Sequence, residues 1–418
     1  MRPMTAYSST ARRFDRSFLL WGLFALFWLF VFLRFGLNAN ILDKIINYSN
    51  EGGSIVEKIH PSTYGIVIIL TATLLSTRIE LDTWELSALR GLIAFASIIC
   101  AIAVFTVLLG HGGSAGYLVD SYLVACASGA LMLFFPVAWR EWLGTTVLLY
   151  IVAGAFVGLC EFALRVRLLP YPFEEHSFRP TGLSEHPLEL GLFNATAINF
   201  VAASRWSATA KTAAIVILLV GTIAAGARVA TIVAALSTLS VIGLHEWPST
   251  PPDTRLRMKA ILFIGIALAI PAVLAVLVQF GLLDRFQNGL IDESGMARVN
   301  IYGLFGLTSW SEILFGADIS HIRELALQHF DLQFIESAIV MFVFQFGLLG
   351  ALIFVLFMTR TFLTLLKGAG RHVFMGAAAF FVVAAGNNSL STKTPIVMMI
   401  IMLIIAFHSA EEHIQQRQ

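Results

Sequence analysis

Arginines recur in this sequence at positions where an anionic group could bind. Arg179 lies in FRPTGLSEHP, Arg228 in GARVAT and Arg298 in ARVNIY, while Arg285 and Arg323 flank Arg298. A guanidinium group stays charged and presents a planar fork that matches phosphate oxygens, so converging arginines would suit a diphosphate. The alternative is that each arginine ends a membrane helix and reaches the headgroup region for structural reasons. That alternative is weakest for Arg228, which lies between two apolar segments joined by almost no loop.

Glu336, in the stretch DLQFIESAIV, is a candidate general base. Its carboxylate could accept a proton from a sugar hydroxyl, although an acid near the start of a helix is also favoured by the helix dipole. His329 and Asp331 are alternatives for the same role, and a lone histidine in a loop is more often a surface residue. His186 directly precedes Pro187, so capping a helix is an equal alternative for its side chain.

Several catalytic patterns are missing from the sequence. It has no Walker A loop, no HExxH, no CxxC and no D-x-D pair in the segments that connect the apolar runs. ATP hydrolysis, zinc proteolysis and a divalent-cation site are therefore unsupported, and we expect no metal and no cofactor. The net charge is +1, so bulk charge indicates no nucleic-acid partner.

The composition is typical of a membrane protein. Of the 418 residues, 58% are hydrophobic and only 13% are charged, and the mean hydropathy is +0.82. A soluble domain cannot bury that much apolar surface, whereas a lipid bilayer removes the need to do so. A membrane-spanning helix needs about 20 mostly apolar residues, and such stretches follow one another along the chain. We therefore predict an all-α, polytopic transmembrane bundle of about twelve spans, with the lipid bilayer as its surroundings.

The apolar runs and the basic residues together predict a topology. We predict helices at 17–36, 61–76, 91–110, 117–137, 143–164, 187–203, 211–225, 228–244, 260–280, 334–358, 373–385 and 395–408. A cytoplasmic N-terminus leaves most lysines and arginines on the cytoplasmic side, and an even number of spans returns the C-terminus there. The longer outer segments are then 38–60, 165–187 and 281–333. The predicted organisation is spans 1–9 in 1–280, a large outer loop at 281–333, and spans 10–12 with a cytoplasmic tail in 334–418.

The order of several motifs resembles the O-antigen polymerase and ligase superfamily, which comprises multi-span bacterial glycosyltransferases that act on polyprenyl-diphosphate-linked glycans. The matching stretches are RPTG at 179–182, GARVA at 226–230, RVNIY at 298–302, FGAD at 315–318 and ESAIVMFVFQFGLLG at 336–350. The resemblance covers roughly the C-terminal 60% of the chain in motif order. In the N-terminal part it is limited to hydropathy and to HPSTY at 60–64.

The resemblance implies a fold, a substrate and a location. It implies a GT-C-like bundle in the bacterial inner membrane, with a large periplasmic loop between spans 9 and 10. It assigns Arg179, Arg228 and Arg298 to the diphosphate of an undecaprenyl-diphosphate-linked oligosaccharide. Lipid-A ligases carry a histidine and an asparagine where this chain has Glu336 and Ser337, which favours a polymerase of surface or exopolysaccharide. Glu336 would then be the general base, and a chain-length regulator and export machinery would be partners.

Two other functions are open at this point. One is a ligase that transfers the glycan to lipid A or another acceptor. The other, from a different class, is a secondary transporter or flippase for an anionic lipid or sugar, because twelve spans with both termini inside is a common transporter topology. Transporters tend to show internal repeats and ionisable residues at mid-membrane, whereas the candidate charges here lie at the outer ends of spans.

Overall fold

The computed structural model describes residues 8–49, 56–110, 115–172, 178–244, 251–279, 296, 299–332 and 335–408. Within these ranges the chain forms helices and loops and contains no strand, so the all-α prediction is confirmed for this part. The longer helices are α1 (Ser8–Gly36), α2 (Pro61–Ser76), α3 (Thr83–Leu108), α4 (Val124–Phe134, preceded by a π-helical turn, Leu118–Leu123), α5 (Val137–Leu164), α6 (Pro187–Ala203), α7 (Ala208–Ala224), α8 (Arg228–Leu244), α9 (Pro252–Gln279), α10 (Trp310–Phe315), α11 (Ile319–Phe330), α12 (Ala338–Leu365), α13 (Arg371–Ala385) and α14 (Ile396–Phe407).

Each predicted helix has a counterpart, but several begin earlier than predicted. Helix α3 begins at Thr83 because Asp82 and Glu85 form a capping box, in which each side chain accepts a hydrogen bond from the other's backbone amide. Helix α12 begins at Ala338, later than the predicted 334, because Ser337 is its N-cap, and it continues to Leu365 instead of ending at 358. Apolar runs locate the middle of such helices, whereas polar caps decide where they start.

In the part of the chain that the structure describes, four helical segments are long and apolar enough to cross a membrane. They are Phe18–Gly36 of α1, and the whole of α3, α5 and α12. Six further apolar helices have 10–17 residues, including α2, α7, α8, α13 and α14. The helices therefore have the composition of a membrane protein.

Helix α6 lies at the centre of the bundle, where it packs against α5, α7, α8, α13 and α14. Almost all of its residues are buried. Small residues on its neighbours allow the close approach: a Cβ atom at Gly376 of α13 would lie only 2.6 Å from the Phe200 ring. Interfaces of this kind are frequent between membrane helices, because small residues let the backbones pack tightly.

The described residues between α9 and α12, in the range 299–332, fold onto the start of α12. A 3₁₀ turn at Ile301–Gly306 precedes α10 and α11, and this module shares an apolar core with α12 that includes Ile322 and Phe344. The backbone amide of Ala317 donates to the carbonyl of Phe344 at 2.7 Å.

Helix α12 is interrupted at the level of this module. Gly347 has φ 73° and ψ 160°, which only glycine adopts readily, and it divides α12 into two helical pieces. A Cβ atom at Gly347 would collide with the carbonyl of Leu314 in α10. The glycine therefore allows α10 to rest directly against the α12 backbone.

Candidate functional site

Connecting segments that are far apart in the sequence meet at one end of the bundle. The Arg34 guanidinium, at the end of α1, donates to the carbonyl of Lys393 at 3.2 Å. The side-chain amide of Asn40 donates to the carbonyl of Glu185 at 3.1 Å. We call this end the loop face, and it includes residues 37–49, 56–60, 165–172, 178–186, 225–227 and 386–395.

A buried carboxylate, Asp120, organises the loop face. It lies in the π-helical turn before α4 and is fully buried. Its oxygens accept hydrogen bonds from the Tyr48 hydroxyl at 3.0 Å, the His60 backbone amide at 2.9 and 3.1 Å, and the Thr63 hydroxyl at 2.7 Å. A buried carboxylate is stable only when its charge is compensated in this way. Asp120 thus ties the segment before α2 to α4.

Two cations lie near Asp120. One Arg34 nitrogen donates to the backbone carbonyls of Asp120, at 3.4 Å, and of Lys393. The Lys393 ammonium donates to the carbonyls of Tyr48 and Lys58, both at 2.9 Å, and lies 4.3 Å from the centre of the Tyr48 ring. Burial lowers the pKa of Lys393 to about 8, and the nearby Asp120 opposes that shift. We call the following residues the Asp120 network: Asp120, Arg34, Lys393, Tyr48, Lys58, His60 and Thr63.

His60 is held as a neutral imidazole in this network. Its Nδ1 accepts from the Ser62 backbone amide at 3.1 Å, so the proton belongs on Nε2, which donates to the Leu37 carbonyl at 2.8 Å. Burial, and secondly the charge of Arg34, lowers the pKa of His60 to about 3. His60 therefore caps α2 and does not titrate near neutral pH.

We expect Asp120→Ala to destabilise the folded protein by about 3–5 kcal/mol, because it leaves buried donors unpaired and nearby cations uncompensated. Thermal unfolding in detergent micelles, followed by intrinsic fluorescence, measures the effect. Glu80→Ala, which removes an exposed carboxylate in the link before α3, is the matched control and should change the melting temperature little. Equal melting temperatures for the two variants would contradict the central role of Asp120.

The segment that carries Arg179 is fixed to the end of α5. The Glu161 carboxylate accepts hydrogen bonds from the backbone amides of Thr181 and Gly182, both at 2.8 Å. Gly182 has φ 56°, and a Cβ atom there would collide with the Gly154 carbonyl of α5. These contacts explain the glycine of the RPTG stretch and hold Arg179 on a rigid support.

Arg179 and Arg228 lie at the same turn. Arg179 is buried, and its Nε donates to the carbonyl of Ala225 at 3.0 Å. Ala225 belongs to the three-residue link between α7 and α8, and the half-buried Arg228 is the first residue of α8. The structure therefore places the Arg179 side chain against the turn that precedes Arg228, the second of the three arginines predicted to bind a diphosphate. Arg298 and Arg285 lie outside the described residues.

The remaining candidates lie on the loop module or act as caps. Glu336 is half-buried, two residues before α12. Arg323 and His329 are exposed on α11, and Asp331 is an exposed C-cap with φ 52°. His186 caps α6 by accepting from the Leu188 amide, as the capping alternative predicts.

A second polar site at the loop face was not predicted from the sequence. It is a small cavity that is lined by Arg34, Asn38, Ser184, Glu185 and Glu189 among others. Within the described residues, Arg34 Nε and Asn38 Nδ2 have no hydrogen-bond partner. Burial raises the pKa of Glu185, while Arg34 opposes that shift. The cavity is about the size of one water molecule.

A signal for the Asp120 network and this cavity is nevertheless present in the sequence. Arg34 and Asp120 interrupt apolar runs, and ionisable residues inside such runs usually have a partner and a role. In the described part of the chain, no group of three or more histidine, cysteine or acidic side chains could hold a metal ion.

Comparisons with known proteins add no assignment. No protein-family model, no curated protein and no solved structure matches the chain. The resemblance to the O-antigen polymerase and ligase superfamily therefore rests on the order of its motifs, and the function rests on the residues described above.

Proposed function

We propose that this protein is a membrane glycosyltransferase that polymerises undecaprenyl-diphosphate-linked oligosaccharide repeat units into a surface or exopolysaccharide. The observation that carries the proposal is the meeting of Arg179 with the turn before Arg228 at the loop face. Arg179 belongs to the RPTG stretch and Arg228 to the GARVA stretch, whose nearest ends are 44 positions apart along the chain. Arg179 nevertheless contacts Ala225, the residue directly before GARVA.

The chemistry needs cationic donors at the leaving group. The acceptor hydroxyl oxygen would attack the anomeric carbon of the donor sugar, while Glu336 takes the hydroxyl proton. The bond between that carbon and the diphosphate oxygen breaks, and its electron pair leaves with the lipid diphosphate. Preorganised arginines stabilise the developing negative charge, which requires no metal ion. Arg179, Arg228 and Arg298 would supply this stabilisation.

The proposal includes a topology. The four long helices and the shorter apolar helices would together cross the bacterial inner membrane about twelve times, with both termini in the cytoplasm. The loop face would then be periplasmic, and residues 281–333 would form the large loop of a GT-C-like enzyme. Shorter helices can span a bilayer when it thins locally or when flanking residues reach the interface.

A transporter is the second candidate, and one observation favours it. Arg34, Asp120 and Glu189 are ionisable and buried within or at the ends of helices of the bundle. Such groups often mark the path of an ion or a substrate through a membrane protein.

A ligase that uses the same diphosphate site is a third candidate, and it differs from a polymerase only in its acceptor.

Reconstitution in proteoliposomes tests the proposal. The purified protein is supplied with a mixture of undecaprenyl-diphosphate oligosaccharides, and products are separated by size. We expect a ladder of longer lipid-linked glycans that persists in EDTA. Transfer to added lipid A without a ladder would indicate a ligase. Movement of the lipid between leaflets with no new glycosidic bond would contradict the proposal and support the transporter.

A further inference from the structure

Two arginines at the outer end of α5 lie beside an apolar, outward-facing surface. Arg165 follows the last residue of α5, and Arg167 comes two residues later. The residues that alternate with them, Leu164, Val166 and Leu168, are 73%, 65% and 65% exposed. Exposed leucine and valine side chains next to guanidinium groups are typical of a surface at the boundary between lipid and water.

The apolar surface continues along the C-terminal half of α5. Leu149, Ala153, Phe156 and Cys160 are exposed and follow one another at helical spacing, so they form a single stripe that leads to Leu164. Helix α5 is one of the four helices long and apolar enough to cross a membrane. A hydrocarbon chain lying along this stripe would bring a polar head to the two arginines.

Aromatic rings hold both guanidinium groups in place. The Arg165 guanidinium carbon lies 4.4 Å from the centre of the Phe162 ring, and that of Arg167 lies 4.1 Å from the Tyr171 ring and 5.0 Å from the Phe178 ring. Stacking uses the flat faces of a guanidinium group, whereas its N–H donors point outward in the plane. The rings therefore orient the two guanidinium groups.

This pair of arginines is connected to the diphosphate site. Arg167 Nε donates to the backbone carbonyl of Arg179 at 3.1 Å, and Arg179 contacts the turn before Arg228. The nearest described carboxylate on α5, Glu161, is hydrogen-bonded to three backbone amides, including that of Leu168 at 2.7 Å. The Glu161 carboxylate therefore stabilises the backbone of this segment. The segment that carries Arg165 and Arg167 therefore contacts the segment that carries Arg179.

We propose that Arg165 and Arg167 form a phosphate-binding entry site for the lipid-linked donor, which reaches Arg179 sideways from the bilayer along α5. The polyprenyl chain lies on the stripe from Leu149 to Leu164 while the diphosphate contacts the two arginines. The identity of this lipid rests on the proposed function, whereas the recognition of a phosphate-bearing amphiphile rests on the arginines and the stripe alone.

Binding of undecaprenyl diphosphate to the full chain in nanodiscs, measured by native mass spectrometry, tests the inference. We expect the double variant Arg165→Gln, Arg167→Gln to bind this lipid about tenfold or more weakly, because it loses charge-assisted hydrogen bonds to phosphate. A control pair, Arg78→Gln with Arg360→Gln, removes two other exposed arginines and should bind as the wild type does. Undecaprenol, which has no phosphate, should bind weakly and equally to all variants.

Unchanged affinity of the double variant for undecaprenyl diphosphate would overturn the inference. Phosphatidylglycerol that competes as well as undecaprenyl diphosphate would overturn the assignment of this site to the lipid-linked donor, since the site would then bind any anionic headgroup. If Arg167→Gln fails to fold, the exposed Arg165→Gln alone should still bind more weakly, and unchanged affinity there would contradict the entry site. Lipid binding without polymer formation would leave this inference intact and remove the proposed function.

Discussion

Replacing Arg228 by alanine is expected to lower the rate of glycan polymerisation by about 10²–10³-fold, which is the usual cost of losing one preorganised donor to a developing charge. Arg228 begins α8 at the turn that also contacts Arg179. The charge of the leaving diphosphate would lose one of its partners, while the helices that surround the turn would remain packed. The measurement is the initial rate of ladder formation in proteoliposomes.

Two further variants make the result for Arg228 interpretable. Arg228→Lys keeps the positive charge but loses the planar fork, so it should retain part of the activity. Arg360→Ala removes an exposed arginine from α12 and should polymerise at the wild-type rate. Wild-type chain lengths in Arg228→Ala, with the protein present in the membrane, would remove the diphosphate assignment.

Glu336→Gln is expected to lower the rate of transfer by about 10²–10⁴-fold, the range attributed to a positioned general base, while donor binding survives. The amide has nearly the same shape as the carboxylate but cannot take the proton of the acceptor hydroxyl. The half-buried Glu336 lies just before α12, next to the loop module. Polymerisation and binding of undecaprenyl diphosphate should be measured on the same preparation.

The matched control for Glu336 is Glu324→Gln, which changes an exposed carboxylate on α11 and should leave transfer unaffected. A fully active Glu336→Gln enzyme would show that another residue is the general base. Asp331→Asn and His329→Gln would then show which neighbour accepts the proton, since both residues are exposed on the same module.

The helices were largely predictable because helix formation is governed by residues close in sequence. Apolar runs of helical length predicted the positions of α1 to α9 and α12 to α14. Their starts depend on caps that are also local, such as the pair Asp82 and Glu85. Predicted starts were late where a polar first turn precedes the apolar run.

The sequence by itself determined which segments are helical, which are apolar, and which arginines belong to ordered motifs, because all of these depend on residue type and short spacing. The tertiary structure decided which of those residues meet. Arg34 contacts the backbone of Asp120 and of Lys393 across 86 and 359 residues, and Arg179 contacts Ala225 across 46. A helical pattern does not specify which helix lies beside which, since many packings bury a similar apolar area. Sites that no single stretch of sequence contains therefore arise from packing. One depends on the packing of α5 and α6 with α7 and α8, and another on the position of α1 beside the link before α14.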